Sequence, residues 1–136
     1  MEDRGKNILR NQKGFTLIEV IAVLVILGIL AAVAVPKYID MAAEAKKAAT
    51  QGQVAEIKSS LNLAYAKYFL ANGVAPTGAQ AVTAAGFTSG TAATVGAAPD
   101  IWNVKLTAAA NAVTIDILDR NADTAYVGTG TWNVPQ

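Results

Sequence analysis

The sequence predicts an α+β protein: a long N-terminal helix, membrane-spanning in its first half, packed on a small antiparallel sheet of about three to four strands. Three observations predict it. The large apolar residues are concentrated in an unbroken run from Val20 to Val35, a helical periodicity continues from there to about Ala71, and the last third alternates apolar and polar residues in three stretches. The expected boundaries are a charged leader over 1–14, a hydrophobic segment over 15–35 and a globular domain over 36–136. Within that domain the helix runs to about 71, a loop covers 72–100 and a β-meander covers 101–136.

Composition narrows function before any motif is considered. The chain has 136 residues, 53% of them hydrophobic and 15% charged, with 11 Lys+Arg against 10 Asp+Glu and neither Cys nor His. Without Cys there is no disulfide, thiolate nucleophile or Cys-based zinc site; without His there is no Ser-His-Asp arrangement and no imidazole ligand. A net charge of +1 supplies no basic field for nucleic acid. No pairing of a carboxylate with a base or nucleophile is visible, so the reading is not an enzyme, with no cofactor and no metal.

The first element is the apolar segment. From Phe15 to Val35 a helix would be roughly 30 Å long, the thickness of a bilayer's hydrocarbon core. Ahead of it lie Arg4, Lys6, Arg10 and Lys13 against Glu2 and Asp3, which places this end in the cytoplasm. Two ordinary readings compete. One is a secretory signal with Ala32-Val33-Ala34 as its cleavage site, although the apolar run exceeds the usual h-region and Glu19 lies within the segment. The other is a plain anchor, for which Glu19 costs about 2 to 3 kcal/mol at mid-bilayer and less near the interface.

A third reading gives Glu19 a partner. The string Gly14-Phe15-Thr16-Leu17-Ile18-Glu19, between a basic leader and the apolar run, resembles the processing site of type IV pilins and type II secretion pseudopilins. The resemblance implies a pilin-like fold and a leader, 1–14, removed by a prepilin peptidase/methyltransferase. The cut would fall between Gly14 and Phe15, with N-methylation of Phe15. It also implies assembly through Phe15, Glu19, Gly28 and Pro36 into a helical homopolymer of the chain itself, on an inner-membrane assembly platform and out of bacterial membrane lipid. The implied function is a structural subunit of an extracellular pilus; the alternative is a pseudopilin of a periplasmic pseudopilus. Before assembly the subunit would sit in the inner membrane as a single pass with its N-terminus cytoplasmic.

The charge logic can be stated independently. An amine at the start of one helix meets a neighbour's Glu19 only if the helices are displaced axially. Because an unpaired carboxylate in an apolar bundle is costly, the pair sets register more than it adds stability. Gly28 and Pro36 weaken the same helix, Pro36 by removing an N–H and opposing the carbonyl of Ala32, so a bend is expected there.

Beyond Pro36, the residues Val54, Ile57, Leu61, Ala64, Tyr65 and Tyr68 form one apolar face, with Lys46, Lys47, Gln53, Glu56, Lys58 and Lys67 assigned to the other sides. Asn72 to Pro99 carries no charge and reads as a neutral, solvent-facing loop. Thr77 to Gln80 fits a capping box there, and Ala81 to Ala85 before Gly86 reads as a short helix with a glycine stop. Strand patterns follow at Trp102–Thr107, Val113–Ile117 and Tyr126–Val134. Their expected core is Trp102, Leu106, Ile115, Ile117 and Trp132.

Two further patterns have ordinary explanations. Asp119, Asn121 and Asp123 have the spacing of a calcium loop, but Thr124 replaces its turn glycine and Gly130 its final Glu, and hairpin turns favour Asp and Asn anyway. Major pseudopilins typically carry a C-terminal calcium site, so the poor match tilts the resemblance toward a pilus subunit. Phe15, Tyr38, Tyr65, Tyr68 and Phe69 could be read as an electron path, but aromatics at helical spacing are usually core.

Overall fold

The computed structural model describes residues 14–136; the leader residues 1–13 lie outside the described part. The chain divides into two units, one extending to Asp40 and the other Met41–Gln136. The helix α1, Leu17–Asn72, runs through both and is uninterrupted at Pro36. The stretch from Gly28 to Pro36 is helical in this single chain. At the far end Gly73 takes a φ of +69°, open to glycine at little cost, and its N–H closes the helix on the carbonyl of Phe69 at 2.8 Å.

In the first unit the apolar stretch of α1 is long enough to cross a membrane, and none of it is buried. Burial begins in the second unit. There Thr50, Gln53, Val54, Ile57, Leu61 and Ala64 line the inner face of α1, which confirms the apolar stripe with one correction. Gln53, expected among the polar sides, is only 7% exposed. It precedes Val54 at the margin of the stripe, and the sheet extends far enough to cover it.

The region expected to be a loop holds two elements. Helix α2, Gly78–Ala84, begins with the capping box that the sequence indicated: the Thr77 hydroxyl accepts from the Gln80 N–H, and the Gln80 side chain accepts from the Thr77 N–H at 2.8 Å. It ends at Gly86, φ +87°, where the Gly86 N–H bonds the Thr83 carbonyl and the Phe87 N–H that of Val82. Ala81 and Val82 are fully buried, so the segment is not simply solvent-facing. Strand β1, Ala92–Ala97, follows. Its Ala-Ala-Thr-Val-Gly-Ala sequence has too few large side chains to show an alternation, and its pairing with β2 decides its conformation.

Strands β2, Asp100–Ala108, β3, Ala112–Arg120, and β4, Gly128–Asn133, complete an antiparallel sheet in the order β1-β2-β3-β4. The fold class is therefore α+β with four strands. β4 starts at Gly128, not at Tyr126 as the alternation suggested. Trp102, Val104 and Leu106 of β2, Val113, Ile115 and Ile117 of β3, and Trp132 of β4 face α1 and form the core with Val54, Ile57 and Leu61. The inward positions Gly128 and Gly130 oppose Ile117 and Ile115, and a Cβ on either would collide with Thr50 or Val54 of α1. The two glycines let helix and strand approach closely. Asn62 of α1 satisfies the Trp132 indole N–H at 2.8 Å.

Candidate functional site

The residues singled out at the N-terminus, Gly14, Phe15, Glu19, Gly28 and Pro36, all lie in the first unit. Gly14, Phe15 and Thr16 precede the helix and are exposed, Phe15 by 81%. The Gly14–Phe15 peptide is thus outside any hydrogen-bonded helix, the condition for an extended substrate in a peptidase groove. A Cβ on Gly14 would meet nothing within 4 Å, and the same holds for Gly28. Among the described residues, neither glycine is required by packing.

Thr16 plays a part that the spacing of the apolar residues does not reveal. Its carbonyl and its hydroxyl both accept from the Glu19 N–H, at 3.1 and 3.3 Å, so Thr16 caps α1. The signal that could have found it is Thr-x-x-Glu, the pattern of a helix start. Glu19 itself stands in the first turn with its side chain exposed, where the free N–H groups and the positive end of the helix favour a carboxylate. Downstream, Val20, Ile21, Val23, Leu24, Val25, Ile26, Leu27, Ile29 and Leu30 are all about half exposed around the helix. In water such a surface would be strongly unfavourable; it suits lipid or the flanks of other helices.

Residues 9–35, spanning Gly14, Phe15 and Glu19, match the family model of the prokaryotic N-terminal methylation motif. The N-terminal segment carries that motif and is similar to the corresponding segments of type IV pilins and of a type II secretion core protein. It is 44% identical over 52 residues to a type IV narrow pilus major component of Thermus thermophilus, covering 38% of this chain and 45% of that protein. It is 44% identical over 54 residues to the type II secretion system core protein G of Pseudomonas aeruginosa, covering 40% and 38%. Against the type IV major pilin protein of Neisseria gonorrhoeae it is 44% identical over 68 residues, covering 48% and 36%. The chain spans less than half the length of these relatives. No solved structure matches.

The other sequence candidates take part in local contacts of the folded domain. The Asp119 carboxylate accepts from Asn103 Nδ2 at 2.8 Å and from the Ala122 N–H at 3.0 Å. Asn121 bridges the Ile101 N–H and the Pro99 carbonyl, and Asp123 binds Lys46 and the Ala125 N–H. Each oxygen ligand of the imagined calcium loop therefore serves a different structural contact. Of the aromatics, Tyr65 stacks on Phe69 and meets Trp132 edge-on, with centroids 6.3 and 6.5 Å apart. Phe15 and Tyr38 are exposed rather than core.

Proposed function

We propose that the protein is a structural subunit of an extracellular type IV pilus, made as a single-pass inner-membrane precursor. A prepilin peptidase/methyltransferase cuts between Gly14 and Phe15 and methylates the new amine. The mature chain then polymerises with copies of itself through α1 on an assembly platform in the membrane. The observation that carries this reading is the methylation motif over residues 9–35, set on an exposed Gly14–Phe15 peptide directly before a wholly unburied apolar helix.

Physical chemistry supports the same reading. Among the described residues, Gly14 and Gly28 answer no steric need, and a helix-interior glycine such as Gly28 costs about 1 kcal/mol relative to alanine. A peptidase pocket explains the first and helix adjustment during assembly the second. The role is structural, not catalytic. Similarity to a type II secretion core protein favours a second reading, a pseudopilin of a short periplasmic filament.

Intact mass and N-terminal sequencing of the mature protein test the proposal. N-methylated Phe15 as first residue is expected. A mature chain beginning at Val35 would replace the pilin reading with a cleaved secretory signal.

A further inference from the structure

The segment between β3 and β4 is held to the second unit in an unusual way for a loop. Asn121 and Ala122 have φ of 52° and 66°, and Asn121 is fixed to the start of β2 through its N–H and both side-chain atoms. Beyond it, the backbone bonds of Asp123 and Tyr126 stay within the turn, to Arg120 and Asp123. None of Ala122–Val127 is in the buried core; only Tyr126 is half-buried.

Side chains make the attachment to α1. Lys46 of α1 reaches Asp123 Oδ2 at 2.9 Å, and its Nζ also lies 5.2 Å from the centroid of the Tyr126 ring. The Arg120 guanidinium lies 5.1 Å from the same ring and 5.2 Å from that of Trp102, while its Nε binds Asp100 at 2.6 Å. Tyr126 meets Trp102 edge-on at 5.6 Å. Both cations are within the range of cation–π attraction.

Arg120 reaches this position because of an irregularity in the sheet. Ile115 and Ile117 face the core, and strict alternation would send Arg120 to the opposite face. The register shifts at Asn103/Val104, so that Asn103 pairs with Asp119 and Val104 with Ile117, leaving Leu118 without a partner. That bulge returns Arg120 to the face of Trp102, its partner across the strands.

We infer that residues 122–127 form a strap, closed by a clasp of Lys46, Arg120, Asp123 and Tyr126, that salt releases without unfolding the sheet. The ion pairs are partly exposed, with the side chains of Lys46 and Asp123 at 35% and 46% and those of Arg120 and Asp100 at 31% and 54%. Such pairs are individually weak and screened by salt, whereas the core beneath is apolar and is not. The Ala125 N–H and Lys46 hold the Asp123 carboxyl below its ordinary value, which keeps it ionised in the closed strap. Release uncovers the flank of Trp102 and frees an α1 cation, changing the surface presented along the helix.

Amide hydrogen exchange on the full chain in detergent micelles tests this, in dilute buffer and in about 1 M NaCl, where the screening length falls to about 3 Å. Amides of Ala122–Val127 should exchange roughly tenfold faster in salt while those of Val104, Leu106 and Ile115 hold their rates. Lys46→Met and Tyr126→Leu should give fast strap exchange already in dilute buffer, and Tyr126→Phe should behave as the parent. Strap amides indifferent to salt and to Lys46→Met would overturn the inference. So would sheet amides that accelerate in the same ratio, because the strap would then open only by global unfolding.

Discussion

Glu19 and Gln53 are polar residues on one helix with opposite fates. Glu19 stands exposed where the helix end welcomes a carboxylate, so α1 tolerates it at no cost in water. Gln53 is buried, and among the described residues its Nε2 has no hydrogen-bond partner. A buried donor left unmade costs about 1 to 3 kcal/mol. Gln53→Met, which keeps volume and removes the amide, should therefore raise stability by about 1 to 2 kcal/mol, seen as a higher thermal midpoint of tryptophan fluorescence. An unchanged or lower midpoint would mean that the amide is satisfied. The position of Gln53 beside the apolar stripe was visible in the sequence, but its burial depended on how far the sheet reaches along α1.

At the level of elements, the glycines divide by what faces them. Gly130 lies on the inward side of β4 against Val54, so Gly130→Ala should destabilise the domain by about 1 to 3 kcal/mol through overpacking. Gly52 sits on α1 two residues before Val54, where an added Cβ would meet nothing within 4 Å, so Gly52→Ala should stabilise the domain by about 1 kcal/mol through helix propensity. Chemical denaturation of the two variants measures both signs, and equal effects would contradict the close approach of α1 and β4. The alternation Gly128-Thr129-Gly130 showed a strand in the sequence. That its small side would receive a helix was not readable, because glycine is equally at home in a turn. The capping box of α2 was readable because its bonds join residues three apart. By contrast β1 depends on a partner strand.

For the whole molecule, the proposed filament depends on a charge placed where neighbouring subunits must match it. Glu19→Ala should leave membrane insertion and processing intact and reduce filament yield at least tenfold, as expected when a register-setting pair costs several kcal/mol to leave unmade. Shear preparation and electron microscopy measure the yield; filaments at parental yield would remove Glu19 from assembly. The proposed role of Glu19 rests on local sequence, and the apolar span, the leader's charge and the start of α2 are legible there, because each follows from residues adjacent along the chain. The methylation motif over residues 9–35 is a linear signal and is legible for the same reason. What the tertiary structure decided is everything that pairs distant residues: the fourth strand, the burial of Gln53, the glycine seam against Thr50 and Val54, and the bulge that turns Arg120 toward Trp102. Those depend on strand register and helix position, and a one-residue shift in register moves a side chain to the other face of the sheet.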